Sequence, residues 1–382
     1  MELENFLDAK PLFYDEIDYD RFPKIYHKIK HHFTTQKIIH IIGTNGKGTT
    51  GRFLASALYN IGYKVGHYTS PHISQFNERV WIDGCDAKNS TLDNAHKKLQ
   101  TLLDKDDSDA LSYFEYTTLI AMLVFENCEY VVLEAGLGGE YDATAIFDKI
   151  LTLVTPIDID HEAFLGSNIT EIATTKLNAI QNYAIVTEQK YDEVYTVVQS
   201  LLDKKSLQIK RVVEFIDKDD AKKISNISNE MKLAVYLEKN LMLSIAALKF
   251  LEIKYSKKNF KDSQLFGRLT RLCDNVIIDV GHNTLAAHSI VSELSPNKYV
   301  LIYNSYKDKN YKEILQILKP IIKYVEIIDI DDQRVVSLES LQKTLIDLKI
   351  EYTKYYKTKK NNNYLVFGSF SVAQSFLREY NG

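Results

Sequence analysis

Apolar positions along this chain fall into short β-rich runs separated by stretches of helical period. Residues 38–42, 65–68, 130–133, 150–155 and 183–187 read as strands, and 48–60, 119–125 and 171–181 as helices between or beside them. The second half restarts the pattern. Residues 240–251 (N-L-M-L-S-I-A-A-L-K-F-L) make an apolar helix, 276–279, 299–303 and 325–330 read as strands each followed by a helix, and 364–367 with a helix from 371 closes the chain. Such alternation belongs to an α/β fold, a mostly parallel sheet with helices on both faces. The polar stretch K-K-N-F-K-D-S-Q places a domain boundary near residue 264, giving domains 1–264 and 265–382. Residues 203–232 are Lys/Asp-rich, show little period and give no clear element.

A length of 382 residues fits two domains of ordinary size. The net charge of −4 argues against a dedicated nucleic-acid binder, whose affinity needs clustered positive charge. Cys85, Cys128 and Cys273 are odd in number and far apart, which excludes a disulfide framework or a zinc cluster and fits a reducing compartment. The first ten residues have neither the basic start nor the apolar run of a signal peptide, and no stretch approaches the ~18 apolar residues of a membrane span. A cytoplasmic monomer is expected.

The sharpest local signal is K-I-I-H-I-I-G-T-N-G-K-G-T-T, residues 37–50. A strand runs into Gly43, and Thr44, Asn45, Gly46, Lys47, Gly48, Thr49 and Thr50 open a helix. Glycines let backbone N–H groups turn around phosphate oxygens, and the helix N-terminus adds its positive end. Lys47 supplies a mobile charge for the outer phosphates and Thr49 a hydroxyl for Mg²⁺. The spacing is not the common G-x-x-x-x-G-K-[ST]: Ile41 stands at the first Gly, and Gly48 follows the Lys. Elsewhere, Glu134 ends a buried strand, where an open α/β sheet places ligand groups, with glycines at 136, 138 and 139 just beyond. His161, after another strand, can be a neutral ligand for a cation. Glu78 and Arg79 can order the loop that holds them.

G-T-N-G-K-G-T resembles the phosphate loop of the Mur ligase superfamily, and the Gly after the Lys resembles its folylpolyglutamate synthase/dihydrofolate synthase branch. Four further segments match that branch: S-P-H-I-S-Q-F-N-E-R at 70–79, V-V-L-E-A-G-L-G-G-E-Y-D-A-T at 131–144, D-H at 160–161 with I-A-T-T-K at 172–176, and S-Y-F-E-Y-T-T at 112–118, a helix start beside the pterin pocket. Glu140 stands where the family has Arg, Ala145 where it has Asn, and Thr175 where it has Glu. In the second half, Asn240, Gly267-Arg268 and I-I-D-V-G-H-N at 277–283 resemble the family's nucleotide residues, as Asp308-Lys309 resembles its D-K-D, with Asn310 for the last Asp.

The resemblance implies an N-terminal domain of the P-loop ATPase type and a smaller C-terminal Rossmann-like α/β domain. It implies ATP bound by residues 44–50 with Asn240 on the base, Arg268 on the phosphates, Asp279 on the ribose and His282 on the nucleotide. Two Mg²⁺ would be held by Thr49, Ser70, Glu134, His161 and Lys176, the lysine having taken up CO₂ as a carbamate. Lys47, His161 and Lys176 would carry catalysis. The implied reaction is ATP-driven ligation of L-glutamate to dihydropteroate, to a reduced folate, or to both, through an acyl phosphate. Another Mur-type amino-acid ligase is the alternative. Those enzymes carry about a domain's length before the phosphate loop, whereas 42 residues precede Gly43, below the ~50-residue floor for ordinary domains.

Overall fold

The β-branched run K-I-I-H-I-I forms the central strand β1 (Lys37–Ile42) of the larger of two sheets in this computed structural model, which describes residues 2–10 and 18–381. Seven further strands join it: β2 (Val65–Tyr68), β3 (Val80–Ile82), β4 (Cys85–Asp86), β5 (Tyr130–Glu134), β6 (Leu151–Val154), β7 (Tyr183–Val186) and β8 (Gln208–Arg211). Their order is β4-β3-β2-β5-β1-β6-β7-β8. The ladders from β2 through β8 are parallel, and β3 and β4 add an antiparallel edge. β1, β2, β5 and β6 are buried almost throughout, as strands covered on both faces require.

Period-two alternation sends Ile38 and Ile42 to one face of β1, and Ile39 and Ile41 to the other. On the first face Ile38, Val131 and Leu133 join the core built around helix Tyr113–Val124, while Ile42, Val154 and Val186 join the core of helices Ile169–Leu177 and Asp192–Lys204. Helix Lys47–Ile61 lies against β1, β2 and β5 and is buried from Gly48 to Leu58. No helix among the described residues is long and apolar enough to cross a membrane.

The chain divides after Ser263, and the short piece Lys232–Tyr236 groups with the second unit. That unit holds strands β9 (Thr270–Cys273), β10 (Val276–Ile278), β11 (Tyr299–Tyr303), β12 (Ile322–Ile327), β13 (Tyr352–Lys354) and β14 (Tyr364–Phe367), ordered β13-β12-β11-β14-β10-β9. All its pairs are parallel except β9 with β10. The polar stretch that gave no element in the sequence forms β8 and helix Lys218–Met231, whose buried positions are Asp220, Ile224, Ile227 and Ser228.

Gly66, in the middle of β2, lets the fully buried Phe125 ring lie on the strand; an added Cβ would stand 2.3 Å from Phe125 Cδ1. Gly66→Ala should destabilise the protein by about 1–3 kcal/mol, the range for overpacking a core. The check is a lower urea midpoint at unchanged slope; an unchanged midpoint would show that the ring yields freely.

Candidate active site

β1, β5 and β6 end side by side, and the three chain segments that leave them build one cluster. The loop after β1 turns at Gly43 (φ 136°) and Gly46 (φ 87°), both in the region that favours glycine. Close packing also favours glycine at 43, where a Cβ would meet the Thr155 hydroxyl and carbonyl, and at 46, where it would stand 2.4 Å from the side-chain Oδ1 of Asn240. Gly46 caps helix Lys47–Ile61, whose first-turn N–H groups at Lys47, Gly48 and Thr49 have no carbonyl of their own helix to bond. The fully buried Ile41, at the position of the missing first glycine, is an interior strand residue. Ser244 anchors the far side by donating its hydroxyl to Thr50 O at 2.9 Å.

Two lysine amines meet at one carbonyl. Lys47 Nζ donates to Gly43 O at 3.2 Å and Thr44 O at 3.3 Å, and Lys176 Nζ donates to the same Gly43 O at 3.1 Å. Lys176 is 4% exposed at the end of helix Ile169–Leu177. Gly139 makes that burial workable, since a Cβ there would stand 2.4 Å from Lys176 O. Burial, and then the neighbouring Lys47 charge, lower the Lys176 amine to about 7. Buried Glu134, at the end of β5, places Oε1 4.0 Å from Lys47 Nζ. Its Oε2 accepts from the Thr69 hydroxyl and, at 3.1 Å, from the Ser70 N–H. Thr69, absent from the sequence expectations, therefore aims the carboxylate, and Ser70 reaches it through its backbone.

The Thr49 hydroxyl, 2% exposed, has no hydrogen-bond partner. A buried unpaired hydroxyl in the first turn of a helix opened by glycines is an oxygen donor of the kind Mg²⁺ takes. His161, at φ 54°, precedes helix Glu162–Leu165, and its side chain is 41% exposed and 3.8 Å from Asp160 Oδ2. Among the described residues no three His, Cys, Asp or Glu side chains gather as a ready metal cage.

No protein-family model matches the chain. A dihydrofolate synthase/folylpolyglutamate synthase of Haemophilus influenzae is 30% identical over an alignment of 414 positions, gaps included, that covers 94% of this chain and 93% of the relative. The chain belongs to that family. The crystal structure of Helicobacter pylori folylpolyglutamate synthetase is 38% identical, covers 99% of this chain and 98% of its own, and superposes with a TM-score of 0.80. A bifunctional folylpolyglutamate synthase/dihydrofolate synthase solved with Mn, AMPPNP and L-glutamate bound shares the fold at a TM-score of 0.81 and 23% identity, over 99% of this chain and 98% of its own. The protein is accordingly an ATP-dependent ligase.

Other ligase-family segments take definite structural parts. Glu78 accepts the backbone N–H groups of Ile73, Ser74 and Gln75 at 2.7–2.8 Å, and Arg79 donates to His72 Nδ1 at 2.8 Å; both order their loop, each through another partner. Glu115 of F-E-x-x-T caps its own helix with Ser112 and pairs with Arg21 at 2.9 Å. Glu140, in the place of the family Arg, accepts from Asn178 Nδ2 at 2.8 Å. In the second unit, buried Asp279 accepts from Tyr236 OH at 2.9 Å, Leu269 N at 2.9 Å and Gly281 N at 2.8 Å, which fixes the loop carrying Arg268. Burial raises the Asp279 carboxyl above its ordinary value. His282 Nδ1 faces Val280 O at 3.1 Å, and the Arg268 guanidinium lies 5.2 Å over the Phe370 ring.

The lowered Lys176 value has a stability consequence. Between about pH 7 and the unfolded lysine value of ~10.4, the unfolded chain binds a proton that the folded chain does not, so stability rises with pH across that window. Lys176→Met, measured in CO₂-free buffer, should therefore gain Tm over the parent chiefly at pH 6, with the gain smaller by about 3 °C at pH 9. A difference independent of pH would contradict a neutral buried amine.

Proposed function

We propose that this ligase joins L-glutamate to dihydropteroate, to a reduced folate, or to both, with the Gly43–Thr50 loop, Glu134 and Lys176 as its chemical centre. One observation carries the reading: a phosphate-loop lysine, a buried carboxylate and a second buried lysine of lowered basicity meet at the ends of β1 and β5. The relative bound to Mn, AMPPNP and L-glutamate supports the nucleotide, metal and amino-acid substrates.

The acceptor's carboxylate attacks the γ-phosphorus of ATP, the bond to ADP breaks, and an acyl phosphate forms. The glutamate α-amine then attacks the acyl carbon, loses a proton and expels phosphate as the amide closes. Lys47 meets the charge that spreads over the transferring phosphoryl group, a group preorganised by Gly43 and Thr44. The open N–H groups of Lys47, Gly48 and Thr49 cradle the phosphates. We assign Thr49, Ser70, Glu134, His161 and Lys176 to two Mg²⁺. When bound, Mg²⁺ supplies charge neutralisation on the phosphates. Lys176 would join that set once its neutral amine adds CO₂, forming a carbamate and releasing one proton, which would turn an uncharged nitrogen into an anionic oxygen ligand. Asn240, buried against Gly46, completes the nucleotide side of the loop, and Arg268, Asp279 and His282 are assigned to the nucleotide as well. Three cysteines without disulfides fit a cytoplasmic enzyme.

The reading is tested by following ADP formation with L-glutamate and either dihydropteroate or tetrahydrofolate. ADP should form in step with amide product for at least one acceptor, and ADP formation with neither would overturn the proposal. Lys47→Ala should lower turnover at least ~10²-fold with an unchanged Tm, the scale for losing one preorganised electrostatic group. Near-parental turnover in that variant would remove the loop from the chemistry.

A further inference from the structure

The phosphate loop does not stand on its glycines alone. Its first two amides are committed elsewhere: Thr44 N and Asn45 N both donate to Pro156 O, at 2.9 and 3.3 Å. The Thr44 hydroxyl bridges the same segment, donating to Asp158 O and accepting from Asp158 N, both at 3.0 Å. Gly43 rests on Thr155. Residues 155–158 therefore form the seat of the loop.

That seat is itself held from behind, by the segment that follows β7. Buried Gln189 accepts from Ile157 N at 2.9 Å and donates to Thr155 O at 3.3 Å and Thr187 O at 3.1 Å. Its own N–H donates to Tyr195 OH at 2.9 Å. Tyr191 OH donates to Asp158 Oδ1 at 2.8 Å and accepts from Lys190 Nζ at 2.8 Å. Asp158 is 2% exposed; its Oδ1 also accepts from Ile159 N at 2.8 Å, and its Oδ2 makes no hydrogen bond, with Lys190 Nζ 3.8 Å away. The buried Asp158 carboxylate thus depends on Tyr191 for its one side-chain hydrogen bond, and losing the partner of a buried charge is the expensive way to break such a bond.

We propose that Gln189 and Tyr191 are positioning residues for nucleotide binding. Gln189 holds the backbone of 155–157 and Tyr191 holds Asp158, and through Pro156 and Asp158 they set where Thr44 and Asn45 lie. That in turn sets the direction of the amides of Lys47, Gly48 and Thr49 that remain open for phosphate. The two residues touch no substrate. Their effect should fall first on the nucleotide, because the groups they aim are the amides left open to phosphate. The inference rests on the reading of the Gly43–Thr50 loop as the ATP phosphate site.

The test is steady-state kinetics of Tyr191→Phe, Gln189→Leu and Gln189→Glu, with Lys47→Ala beside them. Tyr191→Phe keeps the ring and deletes one hydroxyl. It should raise KM for ATP about fivefold, the scale of one ordinary hydrogen bond lost, with kcat and KM for glutamate within about twofold of the parent. Gln189→Leu should raise KM for ATP about tenfold or more, and Gln189→Glu, which keeps the acceptor for Ile157 N, should recover part of that loss. The smaller ATP-induced rise in Tm of each variant is a second readout that needs no turnover. If Lys47→Ala is inactive while Tyr191→Phe and Gln189→Leu keep the parental KM for ATP, the positioning role is wrong and the loop assignment stands. A loss spread evenly over ATP, glutamate and kcat would mark a general structural fault and overturn it equally. Parental ATP binding and turnover in Lys47→Ala would instead bring down the loop assignment itself.

Discussion

Two lysine amines on one backbone carbonyl are the constraint around which the rest of the first unit is arranged. Lys47 and Lys176 both reach Gly43 O, at 3.2 and 3.1 Å. Burial penalises the Lys176 ammonium, and the Lys47 charge beside it adds to that penalty, so the amine falls to about 7 and close to neutrality a large share of it is uncharged. On the proposed reading the pair divides the labour before any ligand arrives: Lys47 is the residue assigned to the phosphates, and Lys176, buried and of lowered basicity, is the one assigned to react with CO₂.

Close approach at three glycines makes this arrangement reachable. Gly43 lies on Thr155, Gly46 on Asn240, and Gly139 on the backbone of Lys176, each too near for a Cβ. The parallel sheet supplies the other half by ending β1, β5 and β6 together, which places Glu134 within 4.0 Å of Lys47 although 87 residues of chain separate them. A carboxyl group, a phosphate-loop lysine and a buried lysine of lowered basicity in one cluster suit the proposed reaction, in which negative charge is brought in on a triphosphate and then moved.

Much of this was legible in the chain, for a physical reason. Strands β2, β11 and β14 stand out in the sequence to the residue, because apolar β-rich runs bounded by polar turns leave little choice of limits. The loop at 43–50 was legible because its glycines, lysine and threonines are contiguous. β8 and helix Lys218–Met231 were not, since an exposed edge strand and a helix with few buried apolar positions leave almost no period to read. Lys176 alone would pass for a surface lysine on a helix end. What buries it comes from Gly43 and Gly139, far away in the chain, and its significance came from a resemblance rather than from its neighbours. Thr69, Asp158, Gln189 and Tyr191 escaped notice for the same reason: each acts through a long-range hydrogen bond to backbone or carboxylate that leaves no local pattern.

The division between the two lysines can be observed without turnover. Enzyme equilibrated with ¹³C-labelled bicarbonate and Mg²⁺ at about pH 8 should show one protein-bound carbamate carbon by ¹³C NMR, and Lys176→Met should lose it. The account expects that signal to disappear when the pH is brought well below 7, where the amine is protonated and the carbamate breaks down. A spectrum with no bound carbamate, or one whose carbamate persists in Lys176→Met, would contradict the claim that Lys176 is the neutral, reactive member of the pair.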